Sequence, residues 1–228
     1  MNVLVIGATS GFGHSLYQHY VAEGHNVAIM GRRIDILEKL SASHPNQTLA
    51  FQVDISNLLS FNAAFSEIVN TYEILDKVIV CAGVGELNED LESSVELETI
   101  STNVLGWTNA VDAVLNYFLS KGKGHLVTIT SVGGLQPTSV APSYSASKAF
   151  QINYTKSLQA KVKKTPIVIT EIRPGLVDTR MAKGEGLFWV MPLEKVTNQI
   201  IHAISKQKKI SIVTKRWRIL NFVLKHFM

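Results

Sequence analysis

The sequence predicts one doubly wound α/β domain, a mostly parallel seven-stranded sheet with helices on both faces. Three observations predict it: a series of short apolar runs, stretches of crossover-helix length between them, and a glycine turn directly after the first run. The runs at 3–6, 26–30, 49–53, 77–80, 126–130 and 168–172 are rich in β-branched residues and lack polar alternation. That is the pattern of strands buried on both faces, as in a parallel sheet covered by helices. The stretches 13–23, 34–43 and 58–72 are each long enough for a helix, and right-handed βαβ connections then wind the sheet in both directions. The run 210–213 supplies a seventh strand. No internal repeat or low-complexity linker divides the chain, so 1–214 reads as one domain and 215–228 as a basic helical appendage.

With 46% hydrophobic and 18% charged residues among 228, the chain has the composition of a globular protein with a sizeable core, which argues against disorder. A single cysteine, Cys81, excludes an intrachain disulfide and fits a reducing, cytoplasmic setting. No apolar run approaches the ~20 residues of a membrane span. Asn2-Val3-Leu4-Val5-Ile6 reads directly as a strand, so no signal peptide is expected. The seven histidines are scattered and form no metal-ligand pattern, which favours chemistry without a metal. Charge is uneven: eight of the 22 basic residues and none of the 18 acidic ones fall after Glu194, so the formal excess of +4 arises in the last segment.

The turn is Gly7-Ala8-Thr9-Ser10-Gly11-Phe12-Gly13. Glycines there allow a tight turn and close backbone approach to a pyrophosphate, and the following helix offers free N–H groups and a favourable dipole. Thr9 and Ser10 add hydroxyls. An ordinary βα turn is the plainer alternative. At the end of the second strand, where a carboxylate would bond the ribose 2′-hydroxyl of NAD, the chain has Gly31-Arg32-Arg33. Two guanidinium groups can pair with a 2′-phosphate, so NADP(H) is expected. A solvated pair at a helix start is the competing reading.

Ser131 closes the fifth strand, and Tyr144 and Lys148 open a helix after Pro142. Four residues apart, they share one helical face. A nearby ammonium favours tyrosinate, so the Tyr144 pKa is expected to fall. Tyr144 then exchanges a proton with a carbonyl or alcohol oxygen as hydride moves, and Ser131 steadies the same oxygen.

Together these motifs resemble the short-chain dehydrogenase/reductase family over nearly the whole chain, a Rossmann-type fold. The glycine spacing is Gly-x-x-x-Gly-x-Gly, and the 13 residues from Ser131 to Tyr144 match the family's gap. The resemblance implies a catalytic set of Asn103, Ser131, Tyr144 and Lys148, with Asn103 orienting a proton-relay water. It implies cofactor contacts from Gly7, Thr9, Ser10, Gly11, Phe12, Gly13, Arg32, Arg33, Tyr144 and Lys148, and from Asp54 at the adenine amino group with Ile55 beside it. Ala82 and Gly83 belong to Cys81-Ala82-Gly83, where the family has Asn-Ala-Gly. Pro174, Gly175, Val177 and Thr179 resemble the segment that holds the nicotinamide amide. Ile6 (for Thr) and Cys81 (for Asn) depart from the family, and the lone thiol reads as a small core residue.

The expected activity is hydride transfer between NADP(H) and an apolar carbonyl compound or secondary alcohol; a non-catalytic NADP-binding sensor or scaffold is the alternative. Met181, Leu187, Phe188, Trp189, Val190 and Met191 suggest an apolar lid. Relatives form homodimers or homotetramers, through helices around 103–119 and 143–162 here. In 215–228, Trp217, Leu220, Leu224 and Phe227 follow helical spacing opposite Arg218, Asn221 and Lys225. Such a helix docks on its own fold or another subunit, or lies at an anionic membrane surface; nucleic acid is not expected.

Overall fold

In the computed structural model, which describes residues 1–179, 189–214 and 217, the strands pair throughout in parallel, in the order β3-β2-β1-β4-β5-β6-β7. They are β1 (Asn2–Ile6), β2 (Asn26–Gly31), β3 (Thr48–Gln52), β4 (Lys77–Val80), β5 (His125–Ile129), β6 (Val168–Pro174) and β7 (Ile210–Val213). The helices are α1 (Gly11–Ala22), α2 (Ile34–Ser43), α3 (Leu58–Tyr72), α4 (Ser93–Ile100), α5 (Trp107–Lys121), α6 (Pro142–Lys161) and α7 (Leu193–Ser205). A π-helical turn, Ser101–Gly106, joins α4 to α5.

Strand side chains alternate between faces, and β1 shows what that does here. Leu4 and Ile6 enter one core with Phe61, Ile68, Trp107, Val111 and Phe118 of α3 and α5. Val3 and Val5 enter the other with Leu16, Tyr17, Leu37, Val196 and Ile200 of α1, α2 and α7. All four are fully buried, each contributing roughly 1.5–3 kcal/mol. A strand apolar on both faces has no solvent side to offer, which is why the sequence shows runs rather than alternation.

Five strands differ by a residue or two from the sequence pattern: β1 takes in Asn2, β2 runs on to Gly31, and β3, β5 and β6 shift as well. β3 and β5 begin one residue earlier because their polar first residues find buried partners. Thr48 Oγ1 meets the Tyr17 hydroxyl at 3.0 Å, and His125 Nε2 meets Thr170 Oγ1 at 2.9 Å. β6 runs two residues further, to Pro174, because β7 pairs alongside it. The charge that the extension adds is compensated: the buried Arg173 guanidinium grips the buried Glu171 carboxylate through Nε at 2.6 Å and a terminal nitrogen at 2.7 Å. Strand order reverses between β1 and β4, which opens a crevice beyond the strands' carboxyl ends.

Candidate active site

The glycine turn lies at that crevice. Gly7 has φ of 90°, in the region that favours glycine, and a Cβ there would come within 2.6 Å of Ala82 N. The turn is held by the Gly7 and Ala8 N–H groups, both donating to the Met30 carbonyl at 2.8 and 3.1 Å. Ser10 starts α1 in extended backbone with no side-chain cap, so the helix's first N–H groups point into the crevice as donors. A Cβ on Gly11 would meet only Thr179 Cγ2, at 3.9 Å. This bare, donor-lined space fits a dinucleotide pyrophosphate.

Arg33, at the start of α2, donates from Nε and a terminal nitrogen to Thr9 Oγ1 at 3.2 and 2.8 Å. It therefore spans from β2 to the glycine turn. Arg32 is half-exposed, with a terminal nitrogen 3.4 Å from Glu98 Oε1 and 3.9 Å from Asp54 Oδ2. Asp54 Oδ1 accepts from the N–H and hydroxyl of Ser56 at 2.9 and 2.7 Å. Ile55 is buried, and its carbonyl lies against Gly106 of the π-helical turn.

Ser131 lies just past β5, as the N-cap of a 3-10 turn, Val132–Gly134. Its Oγ accepts from Gly133 N–H at 2.9 Å and shares a hydrogen bond with the Tyr144 side chain. Tyr144 sits in the first turn of α6, with Pro142 as the helix's first residue. Close approach is required on both sides of its ring. A Cβ on Gly85 would meet ring carbon Cδ2 at 2.6 Å, and one on Gly133 would meet Cε1 at 3.3 Å. Lys148 Nζ stands 5.8 Å from the ring centroid.

Asn103 is fully buried in the π-helical turn. Its Oδ1 accepts from Val84 N–H at 2.9 Å, and its Nδ2 donates to the Val84 carbonyl at 2.7 Å and Ser147 Oγ at 3.1 Å. Asn103 thus clamps the loop after β4, which carries Ala82 and Gly83, onto α6. A Cβ on Gly83 would lie 3.2 Å from Asn103 Oδ1 and 3.5 Å from Lys148 Nζ. So the four residues expected to act together do converge. A fifth, which the sequence did not single out, joins them: Gln151 bridges Lys148 and Asn103. Its signal was its place, three residues after Lys148 on the same helix face.

Ionisation departs from the sequence expectation. Burial raises the Tyr144 pKa above its ordinary 10, and the Ser131 hydrogen bond offsets only part of that. Burial lowers Lys148 to about 8, with nearby Cys81 acting the other way. Desolvation is therefore the largest influence on both groups. Burial also pushes the Cys81 thiol up to about 12, and the residue packs against the core beside α1. A thiol held neutral is a poor nucleophile.

At the end of β6, Pro174 pairs with Val213, and the next residue, Gly175, lies against the Trp217 indole. Val177 is buried and bridges Met191. Trp189 packs edge-to-face on Trp217 with ring centroids 6.2 Å apart. Met181, Leu187 and Phe188 of the expected lid, and the expected 215–228 helix apart from Trp217, lie outside the described residues. Among the described residues no helix is long and apolar enough to cross a membrane, and no group of three potential metal ligands occurs.

A doubly wound parallel sheet with this strand order and a phosphate-type turn after β1 is a Rossmann fold. The family model for short-chain dehydrogenases matches residues 1–187, and the chain belongs to the short-chain dehydrogenase/reductase family of oxidoreductases, which bind a nicotinamide cofactor. An uncharacterized oxidoreductase of Mycobacterium tuberculosis is 31% identical over 215 residues, covering 90% of this chain and 85% of its own length. The NADP-dependent 3-hydroxy acid dehydrogenase YdfG of Salmonella typhi is 32% identical over 180 residues, 78% of this chain and 73% of its own length. The closed form of a serine dehydrogenase complexed with NADP+ superposes with a TM-score of 0.81 at 25% identity, covering 89% of this chain and 88% of that one.

Proposed function

We propose that this protein moves a hydride between NADP(H) and an apolar carbonyl compound or secondary alcohol. The observation that carries the reading is the convergence of Ser131, Tyr144, Lys148 and Asn103 at the floor of the dinucleotide crevice. A non-catalytic sensor needs the glycine turn but has no use for a buried phenol–ammonium pair. NADP is favoured over NAD by Gly31, Arg32 and Arg33 and by the NADP named for the two relatives above. A Cβ on Gly31 would come within 2.7 Å of Thr9 Cγ2, so a carboxylate at that position would first have to displace Thr9.

In this reading the turn 7–13 holds the pyrophosphate, Arg32 and Arg33 the 2′-phosphate, and Asp54 and Ile55 the adenine. Ala82, Gly83, Tyr144 and Lys148 take the ribose side, and Pro174, Gly175, Val177 and Thr179 the nicotinamide amide. The bound cofactor supplies or takes up the hydride. Tyr144 gives its hydroxyl proton to the carbonyl oxygen in reduction and takes one from the alcohol in oxidation. Ser131 has one lone pair engaged by Gly133 N–H, which leaves its own hydrogen to donate to that oxygen. Lys148 stabilises the tyrosinate formed in each reductive turnover. Trp189 and Trp217 support an apolar substrate.

The catalytic domain is placed at 1–214. Exposed Leu105, Leu119 and Phe150 near and on α5 and α6 support a homodimer or homotetramer through these helices; a protein that sediments as a monomer would refute that. The test of function is NADPH oxidation against aliphatic ketones, aldehydes and sugars, repeated with NADH. Turnover of apolar carbonyls with NADPH is expected. Equal use of NADH refutes the cofactor assignment, and a clear sugar preference refutes the apolar site.

A further inference from the structure

Lys148 is almost completely buried, at 4% exposure, and Gln151 beside it is fully buried. The ammonium donates to Gln151 Oε1 at 2.9 Å. The other end of the same amide, Nε2, donates to the Asn103 main-chain carbonyl at 2.8 Å. Chemistry leaves the amide one orientation, because an ammonium only donates and a carbonyl only accepts. The π-helical geometry at 101–106 directs that carbonyl toward α6, where Gln151 meets it; wide turns of this kind recur at functional sites.

We propose that Gln151 is a positioning residue for the proton chemistry of this site, holding the Lys148 ammonium and tying it to the Asn103 carbonyl through one side-chain amide. This rests on the Ser131–Tyr144–Lys148 reading above. A primary amide accepts from an ammonium without taking up or releasing protons in the working range. The link therefore fixes the cation in place and sets its affinity for the proton while carrying no proton itself. Neither close analogue can do this. A Glu at 151 neutralises the ammonium and sets a carboxylate against the Asn103 carbonyl. A Met of similar length leaves the buried ammonium and the carbonyl each without that partner, and an unpartnered buried charge shifts toward its neutral form.

The titratable groups around Lys148 are few. Tyr144 lies one turn earlier on α6, and Cys81 stands at the end of β4. Glu96 of α4 is turned to the start of α6, where Oε2 accepts from Ser143 N–H at 3.0 Å and Oε1 from Asn88 Nδ2 at 2.6 Å. The π-helical turn and the 3-10 turn 132–134 contribute no charged side chain. Among the described residues, Gln151 is thus the uncharged side chain that accepts a hydrogen bond from this ammonium.

The experiment follows Lys148 by NMR in full-length protein carrying ¹³Cε-labelled lysine, its signal assigned by Lys148→Arg, with melting temperature recorded for each variant. Gln151→Met is expected to move the Lys148 midpoint down and Gln151→Glu to move it up, each by about one unit or more. The basic limb of the rate of carbonyl reduction moves the same way. A purely structural role would lower melting temperature and rate while leaving the midpoint in place. Unchanged midpoints in folded variants overturn the proposal. If Gln151→Met does not fold, Gln151→Glu decides alone. If neither folds, the wild-type Gln151 side-chain amide signal decides, and failure to follow the Lys148 titration overturns it. The titration needs no substrate: opposite shifts in a protein that never oxidises NADPH support the positioning role while refuting the activity.

Discussion

The rim and the floor of the crevice are both polar, and they are built in different ways. At the rim, Arg32, Arg33, Asp54 and Glu98 meet at 3.4 to 3.9 Å or through Thr9, partly in solvent. Such pairs are worth little to stability, roughly 0–1 kcal/mol, and are easily redirected toward a ligand. At the floor, Asn103, Ser147, Lys148 and Gln151 are each at most 4% exposed and hold one another with little solvent access. There an unmade bond costs the full desolvation of the orphaned group. In the proposed reading, the rim chooses the cofactor and the floor fixes the geometry in which it reacts.

The comparison is broken most severely by orphaning a buried charge. Arg173→Leu leaves Glu171 uncompensated beside Thr130, which donates to it at 3.0 Å. A loss of about 3–5 kcal/mol in urea denaturation is expected, and a loss within the range of an exposed pair would mean that buried and exposed charges in this protein do not differ in worth. A buried histidine gives the next effect. His125 is lowered from 6.5 to about 4 by burial and by the charge of Lys77. The unfolded chain binds this proton first as pH falls, so the stability is complete above 6.5 and is lost as pH falls toward about 4. The total is on the order of 3 kcal/mol. Denaturation at several pH values should show this slope in wild type and lose it in His125→Gln; an equal slope in both would exclude His125 as its source. The smallest change belongs to the rim. Arg33→Glu should weaken NADPH binding by about 10- to 100-fold, the worth of a charge-assisted bond, and leave NADH and the melting temperature nearly unchanged. Equal weakening of both cofactors would mean that Arg33 acts on the fold through Thr9 rather than on the phosphate.

The sheet and the glycine turn were legible in the sequence because each is local. A strand buried on both faces must be an apolar run, and the glycine turn must follow β1 directly. Ser131, Tyr144 and Lys148 were legible for the same reason, lying within one 18-residue stretch. Gln151 was not, because its meaning comes from a carbonyl 48 residues away. The carboxylate of Glu98 against Arg32, 66 residues away, was hidden likewise. The direction of the Tyr144 shift was misread because spacing reveals a neighbouring charge and says nothing of how much water burial removes.

The central claim is that Tyr144 is the proton donor of an NADPH-dependent reductase. Its most direct test is hydride transfer from pre-bound NADPH to the best carbonyl substrate, in wild type and Tyr144→Phe. Loss of the hydroxyl is expected to slow transfer by about 10²- to 10⁴-fold with NADPH affinity unchanged. Transfer at the wild-type rate in the variant would contradict it.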